Sequence, residues 1–111
     1  MPQKSDLKGI ICAVVTPLRA GRPDLYNLQR LVTTLKDEGI DGILLLGTTG
    51  EGPSFSVAER EVIILAAKEV SGGLTVHAGT GFASLTDTID ATRRAFEIGV
   101  DSVVVIWGST D

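Results

Sequence analysis

With 111 residues, 43% of them hydrophobic and 22% charged, the chain has the size and composition of one compact domain and is too apolar for disorder. Fourteen acidic against ten basic residues leave a net charge of -4 with no basic cluster, which argues against a nucleic-acid partner. The apolar runs Ile10 to Val15 and Val62 to Ala67 fall far below the roughly 20 residues that cross a bilayer, and residues 1–8 form a polar leader without a signal-peptide core. A cytoplasmic protein with no membrane partner is expected.

The first element is the run Ile10 to Val15, which reads as a strand buried on both faces and ends at Thr16-Pro17, where proline stops the hydrogen-bond ladder. Cys12 lies inside it and reads as a small buried hydrophobe. Leu25, Leu28, Leu31, Val32 and Leu35 then recur at helical spacing, with Asp24 as N-cap and Gln29, Arg30, Thr33 and Lys36 on the opposite face. Ile43 to Leu46 is the second strand. A second helix opens at Ser56-Val57-Ala58-Glu59, a capping box, with Val62, Leu65, Ala66 and Val70 expected as its buried stripe. Leu74 to Ala78 is the third strand. In the third helix Ser84 or Thr86 can cap the start, and Leu85, Ile89, Thr92 and Phe96 line one face. Val103 to Trp107 is the fourth strand.

Strand starts recur at intervals of about 30 residues, the length of one βα unit. Gly39-Ile40-Asp41-Gly42 and Gly99-Val100-Asp101-Ser102 stand in equivalent places, each glycine suited to closing a helix in the left-handed conformation. The order βαβαβαβ requires parallel strands with right-handed crossovers, leaving a doubly wound open sheet or part of a barrel. The compact region is expected over 9–107, with 108–111 as a divergent tail.

In either architecture ligands sit at the carboxyl ends of the strands. There the second loop reads Gly47-Thr48-Thr49-Gly50-Glu51-Gly52, whose amides and hydroxyls can hold a small carboxylate or phosphate without a cationic side chain. A plain glycine turn accounts for it equally well. Gly79-Thr80-Gly81 has similar character on the same rim. His77, the sole histidine, makes no metal cluster and reads as a satisfied strand residue rather than a general base. Glu51 can be an acid, a base or a structural residue, and Glu59 belongs to its capping box.

Gly47-Thr48-Thr49-Gly50-Glu51, followed by Ser56-x-x-Glu59-Arg60, resembles the signature of the dihydrodipicolinate synthase and N-acetylneuraminate lyase family. Ala13-Val14-Val15-Thr16-Pro17-Leu18 is similar to that family's first strand, and Ala78-Gly79-Thr80-Gly81 with Thr86 and Ala91 to its third unit. The resemblance implies an α/β fold, the N-terminal half of a (β/α)₈ TIM barrel, roughly (βα)₃β. A whole barrel needs about 250 residues, so the chain is expected to be part of one. It implies pyruvate-dependent lyase or aldolase chemistry through a Schiff base on a lysine, with no cofactor and no metal. Gly47, Thr48 and Thr49 match the residues that bind the carboxylate of the α-keto acid, and Thr48 matches a member of the proton relay.

The four lysines do not suit the amine role, which needs a desolvated group beside the carbonyl. Lys4 and Lys8 precede the first strand, while Lys36 and Lys68 stand late in helices. The tail Trp107-Gly108-Ser109-Thr110-Asp111 departs from the proline and aromatic pair usual in the family, and Tyr26 matches neither family tyrosine. The chain alone is therefore expected to be inactive. It is also expected to self-associate through the unpaired edges of its outer strands. The doubled threonine favours the synthase branch. Two other readings stand beside this one: an inactive truncated homologue, and an open-sheet module binding a phosphate or nucleotide.

Overall fold

The computed structural model describes residues 9–47, 55–82 and 84–105. Nine elements follow in order: β1 (Ile11–Val14), β2 (Leu18–Arg19), β3 (Arg22–Pro23), α1 (Leu25–Asp37), β4 (Gly42–Leu45), α2 (Val57–Val70), β5 (Thr75–Gly79), α3 (Leu85–Ile98) and β6 (Ser102–Val104). The expected first three strands match β1, β4 and β5 to within a residue at each end. The fourth begins at Ser102 rather than Val103, and its expected end at Trp107 lies outside the described residues.

The main sheet has the order β1-β4-β5-β6, with every pair parallel. α1 packs on α2 and α2 on α3. Strands added always on the same side, each through a right-handed crossover, put all the helices on one face of the sheet. A doubly wound sheet reverses its strand order partway and covers both faces. The open-sheet reading is thereby corrected, and the chain is a segment of a singly wound (β/α) barrel.

One-sided covering also corrects the strand expectation. On β4 and β5 the side chains of Ile43, Leu45, Val76 and Ala78 are fully buried under the helices, whereas Leu44, Thr75 and His77 on the other face are half-buried. That second face turns towards a barrel axis, and β1 shows Ile11 and Ala13 there, both exposed. β1 and β6 are the sheet's edges.

Helix starts follow local chemistry. Asp24 accepts from the Asn27 amide at 3.1 Å and from its side chain at 2.7 Å. These two bonds to the charged form hold the Asp24 carboxyl below its ordinary pKa. Ser56 and Glu59 form the expected capping box, at 3.1 and 3.0 Å. Ser84, not Thr86, caps α3.

The helix ends repeat one device. Gly39 and Gly99 have φ of 85° and 109°, and the next residues, Ile40 and Val100, donate back to Leu35 O and Ala95 O at 3.3 Å each. The aspartates that follow then close the foot of the sheet. Asp41 N–H donates to Ile10 O and Asp101 N–H to Val76 O, while their carboxylates accept from the amides of Gly9 (3.3 Å) and Val76 (2.8 Å).

Three helix faces differ from the sequence pattern. In α1, Leu28 and Val32 are buried as expected but Leu31 is exposed, and Gln29, placed on the polar face, bonds across to Ala66 O at 2.9 Å. In α2 the buried stripe is Arg60, Ile63, Ile64, Ala66 and Ala67, whereas Val62 and Leu65 are 46% and 48% exposed. In α3 the buried residues are Thr88, Ala91 and Ala95, whereas Leu85, Ile89 and Phe96 are exposed. Small side chains at the contact allow α3 to pack close on α2.

Between β1 and α1 the structure adds an antiparallel β2/β3 hairpin to the expected elements. Its turn is Ala20-Gly21, with φ of 53° and 77°, both positive as a two-residue turn matching strand twist requires. Alanine lacks the asparagine or glycine signal for that turn and is strained there. Ala20→Gly is expected to raise stability by about 0.5 to 1 kcal/mol, seen as a higher urea midpoint at unchanged slope.

Candidate functional site

The carboxyl ends of β1, β4, β5 and β6 share one rim, where side chains from successive units converge. Gly47 sits there two residues past the end of β4. Thr48, Thr49 and Glu51 lie outside the described residues, so the candidate loop is seen through its two flanks, Leu46-Gly47 and Phe55-Ser56.

Leu46 is buried and holds a φ of 60°, a conformation rare for a bulky residue and one that turns the chain sharply at the strand tip. The turn brings the main chain over β5. A Cβ on Gly79 would stand 2.2 Å from Leu46 O and 3.2 Å from Gly47 Cα, so the two glycine loops meet backbone to backbone. Gly47 is hemmed from below, where a Cβ would meet the Leu44 side chain at 2.5 Å. Such close approach is what glycine permits.

The third loop is fixed from α3. Thr80, 1% exposed, shares a hydrogen bond with Thr92 Oγ1 at 2.8 Å, and its amide donates to Val104 O at 3.2 Å. Thr88 Oγ1 accepts from the Phe82 amide at 2.9 Å and reaches Ser84 O at 3.0 Å.

Arg60 performs the matching task from α2. It is 3% exposed and donates to Phe55 O (3.4 Å), Gly79 O (3.4 Å) and Gly81 O (3.1 Å), with its guanidinium 3.7 Å from the centre of the Phe82 ring. Burial lowers its pKa from the ordinary arginine value, yet arginine keeps its proton. In the sequence Arg60 stands out only as the last residue of the Ser56-x-x-Glu59-Arg60 pattern. The available signal was a charge one turn before Ile63 and Ile64, on the stripe they define.

His77 lies mid-strand on the axis-facing side, away from the rim. Its Nδ1 pairs with Ser102 Oγ at 2.5 Å and its Nε2 with Thr75 Oγ1 at 2.9 Å, so both ring nitrogens have hydroxyl partners. This agrees with a satisfied histidine. Cys12 is half-buried and free. Among the described residues no group of three His, Cys, Asp or Glu could hold a metal ion, and no helix is long and apolar enough to cross a membrane.

Lys36 and Lys68 lie at the opposite end of the strands. The Lys36 side chain approaches the Cβ position of Gly72, before β5, and Lys68 that of Gly99, before β6. A strand's length, roughly 15 Å at about 3.3 Å per residue, separates them from the rim. Lys4 and Lys8 lie outside the described residues.

A singly wound parallel sheet with glycine-rich loops on its carboxyl rim belongs to the (β/α)-barrel class. Within that class the chain belongs to the dihydrodipicolinate synthetase family, whose model matches residues 6–107. It is 46% identical over 101 residues to an uncharacterized DapA-like lyase of Chloroflexus aurantiacus, covering 89% of this chain and 34% of the relative. It is 38% identical to the 4-hydroxy-tetrahydrodipicolinate synthase of Kosmotoga olearia, with the same two coverages. Among solved structures, dihydrodipicolinate synthase from Aquifex aeolicus superposes with a TM-score of 0.82 at 37% identity, over 87% of this chain and 33% of that one. The N-acetylneuraminate lyase of Proteus mirabilis gives 0.81 at 32% identity, over 87% and 34%. The chain thus spans about a third of the length of these relatives.

Proposed function

We propose that these residues are the carboxylate-binding part of a Schiff-base-forming, pyruvate-dependent lyase of the synthase type. Gly47, Thr48 and Thr49 hold the carboxylate of the α-keto acid, and the Thr48 hydroxyl takes part in moving the proton. One observation carries this reading: Gly47 leaves β4 at the rim through a strained turn packed on Gly79. Main-chain amides and hydroxyls there can meet a small anion without a lysine or arginine.

The amine is a separate matter. Lys36 and Lys68 are a strand's length from the rim, and Lys4 and Lys8 precede β1 in the chain. The Schiff-base lysine therefore belongs to residues other than these 111. The similarity to 4-hydroxy-tetrahydrodipicolinate synthases supports the synthase type over the sialic acid lyase type. The partner is a small α-keto acid, with no cofactor.

Pyruvate with borohydride tests both parts by mass spectrometry. The 111-residue chain alone is expected to gain no reduced pyruvate. A lysine-bearing barrel that contains these residues is expected to trap one pyruvate per chain, and Thr49→Val in it to slow trapping roughly ten- to hundredfold, the worth of a hydrogen bond to a charged group. An adduct on the short chain would place the amine wrongly. Unchanged trapping by the valine variant would remove the carboxylate role, and no trapping in any longer form would favour an inactive homologue.

A further inference from the structure

Arg60 and Thr88 occupy the same position, the fourth residue after the N-cap, in α2 and α3. Each side chain turns back to hold the loop before its helix, Thr88 through Phe82 and Arg60 through Phe55 O. Arg60 does more, because it also reaches into the next unit, to Gly79 O and Gly81 O, and stacks on Phe82. It thus spans the end of the second rim loop and the whole of the third. Gly79 in turn is the surface on which Leu46 and Gly47 rest. The start and finish of the second loop are therefore both referred to the third loop, one by main-chain contact and one through a buried guanidinium.

We propose that Arg60 is a positioning residue that holds Phe55 in register with Gly79 and Gly81, and so sets the backbone contact from which Gly47 presents its amide to an anion. The proposal rests on the function proposed above. A planar guanidinium with donors pointing several ways is suited to bridging three carbonyls while one face lies on an aromatic ring. An ammonium has the charge but neither the span nor the flat face. The role is therefore one of shape as well as charge, and lysine should not replace it.

The test uses the 111-residue chain, with backbone amides followed by nuclear magnetic resonance and pyruvate as the probe. In Arg60→Lys, faster hydrogen exchange is expected at Gly47, Thr80 and Gly81, while Ile63, Ile64 and Val76 keep their protection. Pyruvate is expected to shift the Gly47 amide of the wild type and to require at least tenfold more ligand in the variant. Arg94→Ala, which removes the exposed pair with Glu61 at 2.9 Å, is the control for general loosening and should leave the pyruvate response alone. Phe82→Leu keeps the apolar packing and removes the stacked face. It should weaken the response in the same direction, and it serves if Arg60→Lys does not fold.

Equal pyruvate titrations for wild type, Arg60→Lys and Phe82→Leu would overturn the positioning role. So would exchange that rises evenly through the core. A wild type whose Gly47 amide ignores pyruvate would instead count against the carboxylate site, and the exchange pattern would still decide whether Arg60 holds the loops.

Discussion

Gly79→Ala is expected to destabilise the protein by about 2 to 3 kcal/mol and to displace the candidate loop at the same time. The added methyl would stand 2.2 Å from Leu46 O and 2.8 Å from Leu46 C, both main-chain atoms that no rotamer change can move aside. Leu46 already holds a φ of 60°, so it cannot relax without giving up its turn. Either β5 leaves its register or the chain after β4 lifts off the rim. Gly73→Ala is the matched control, since a Cβ there meets nothing within 4 Å. It should be neutral or slightly stabilising, by up to about 1 kcal/mol through the unfolded chain. Urea unfolding of both variants reads the difference. If the two midpoints coincide, the backbone contact between the loops is not what the structure describes.

Ile63→Ala is expected to cost about 2 to 5 kcal/mol, and Val62→Ala, one residue away, less than about 0.5 kcal/mol. Ile63 is fully buried between α2 and the sheet, so truncation leaves a cavity. Val62 is 46% exposed and its loss opens none. The pair separates the stripe that α2 buries from the one its sequence pattern favours. Similar losses at both sites would mean that α2 is rotated about its axis from the orientation described. Thermal or urea unfolding monitored by circular dichroism is sufficient.

The α2 case shows where local reading stops. Val57, Val62, Ile63, Ile64, Leu65, Ala66, Ala67 and Val70 put apolar groups on nearly every side of the helix. Period alone therefore permits several stripes. The sheet beneath and α1 and α3 on either flank select one of them, and that selection places Arg60 inward and Leu65 outward. In α3 the same ambiguity resolved against the large residues. Ala91 and Ala95 are buried where α3 packs on α2 and its neighbours, because small side chains allow close approach, and Leu85, Ile89 and Phe96 are left exposed. The Ala20-Gly21 turn has no sequence signature, because alanine carries no preference for positive φ.

Of the candidate site, Gly47 was legible by its place after a buried strand. His77 was legible as a satisfied residue, though Ser102 and Thr75 as its partners were not. Thr48 and Thr49 rest on their resemblance to a family signature and on the Gly47 flank. Arg60 was legible only as a charge on an apolar stripe, and its task was not, because its partners Gly79 and Gly81 lie in another βα unit.

By itself the sequence determined the number of βα units, the caps at Asp24 and Ser56, and the left-handed closures at Gly39 and Gly99, and it narrowed the cap of α3 to Ser84 or Thr86. The caps and closures are settled by hydrogen bonds spanning only a few residues, and the unit count by the alternation of apolar runs and helical patterns, so neighbours in the chain suffice to specify them. Only the tertiary structure decided which way each helix faces, that the sheet is covered on one side, and that Gly79 must be glycine. Those outcomes depend on what main chain or side chain arrives from a different unit, and residue type and spacing carry no direct record of such arrivals.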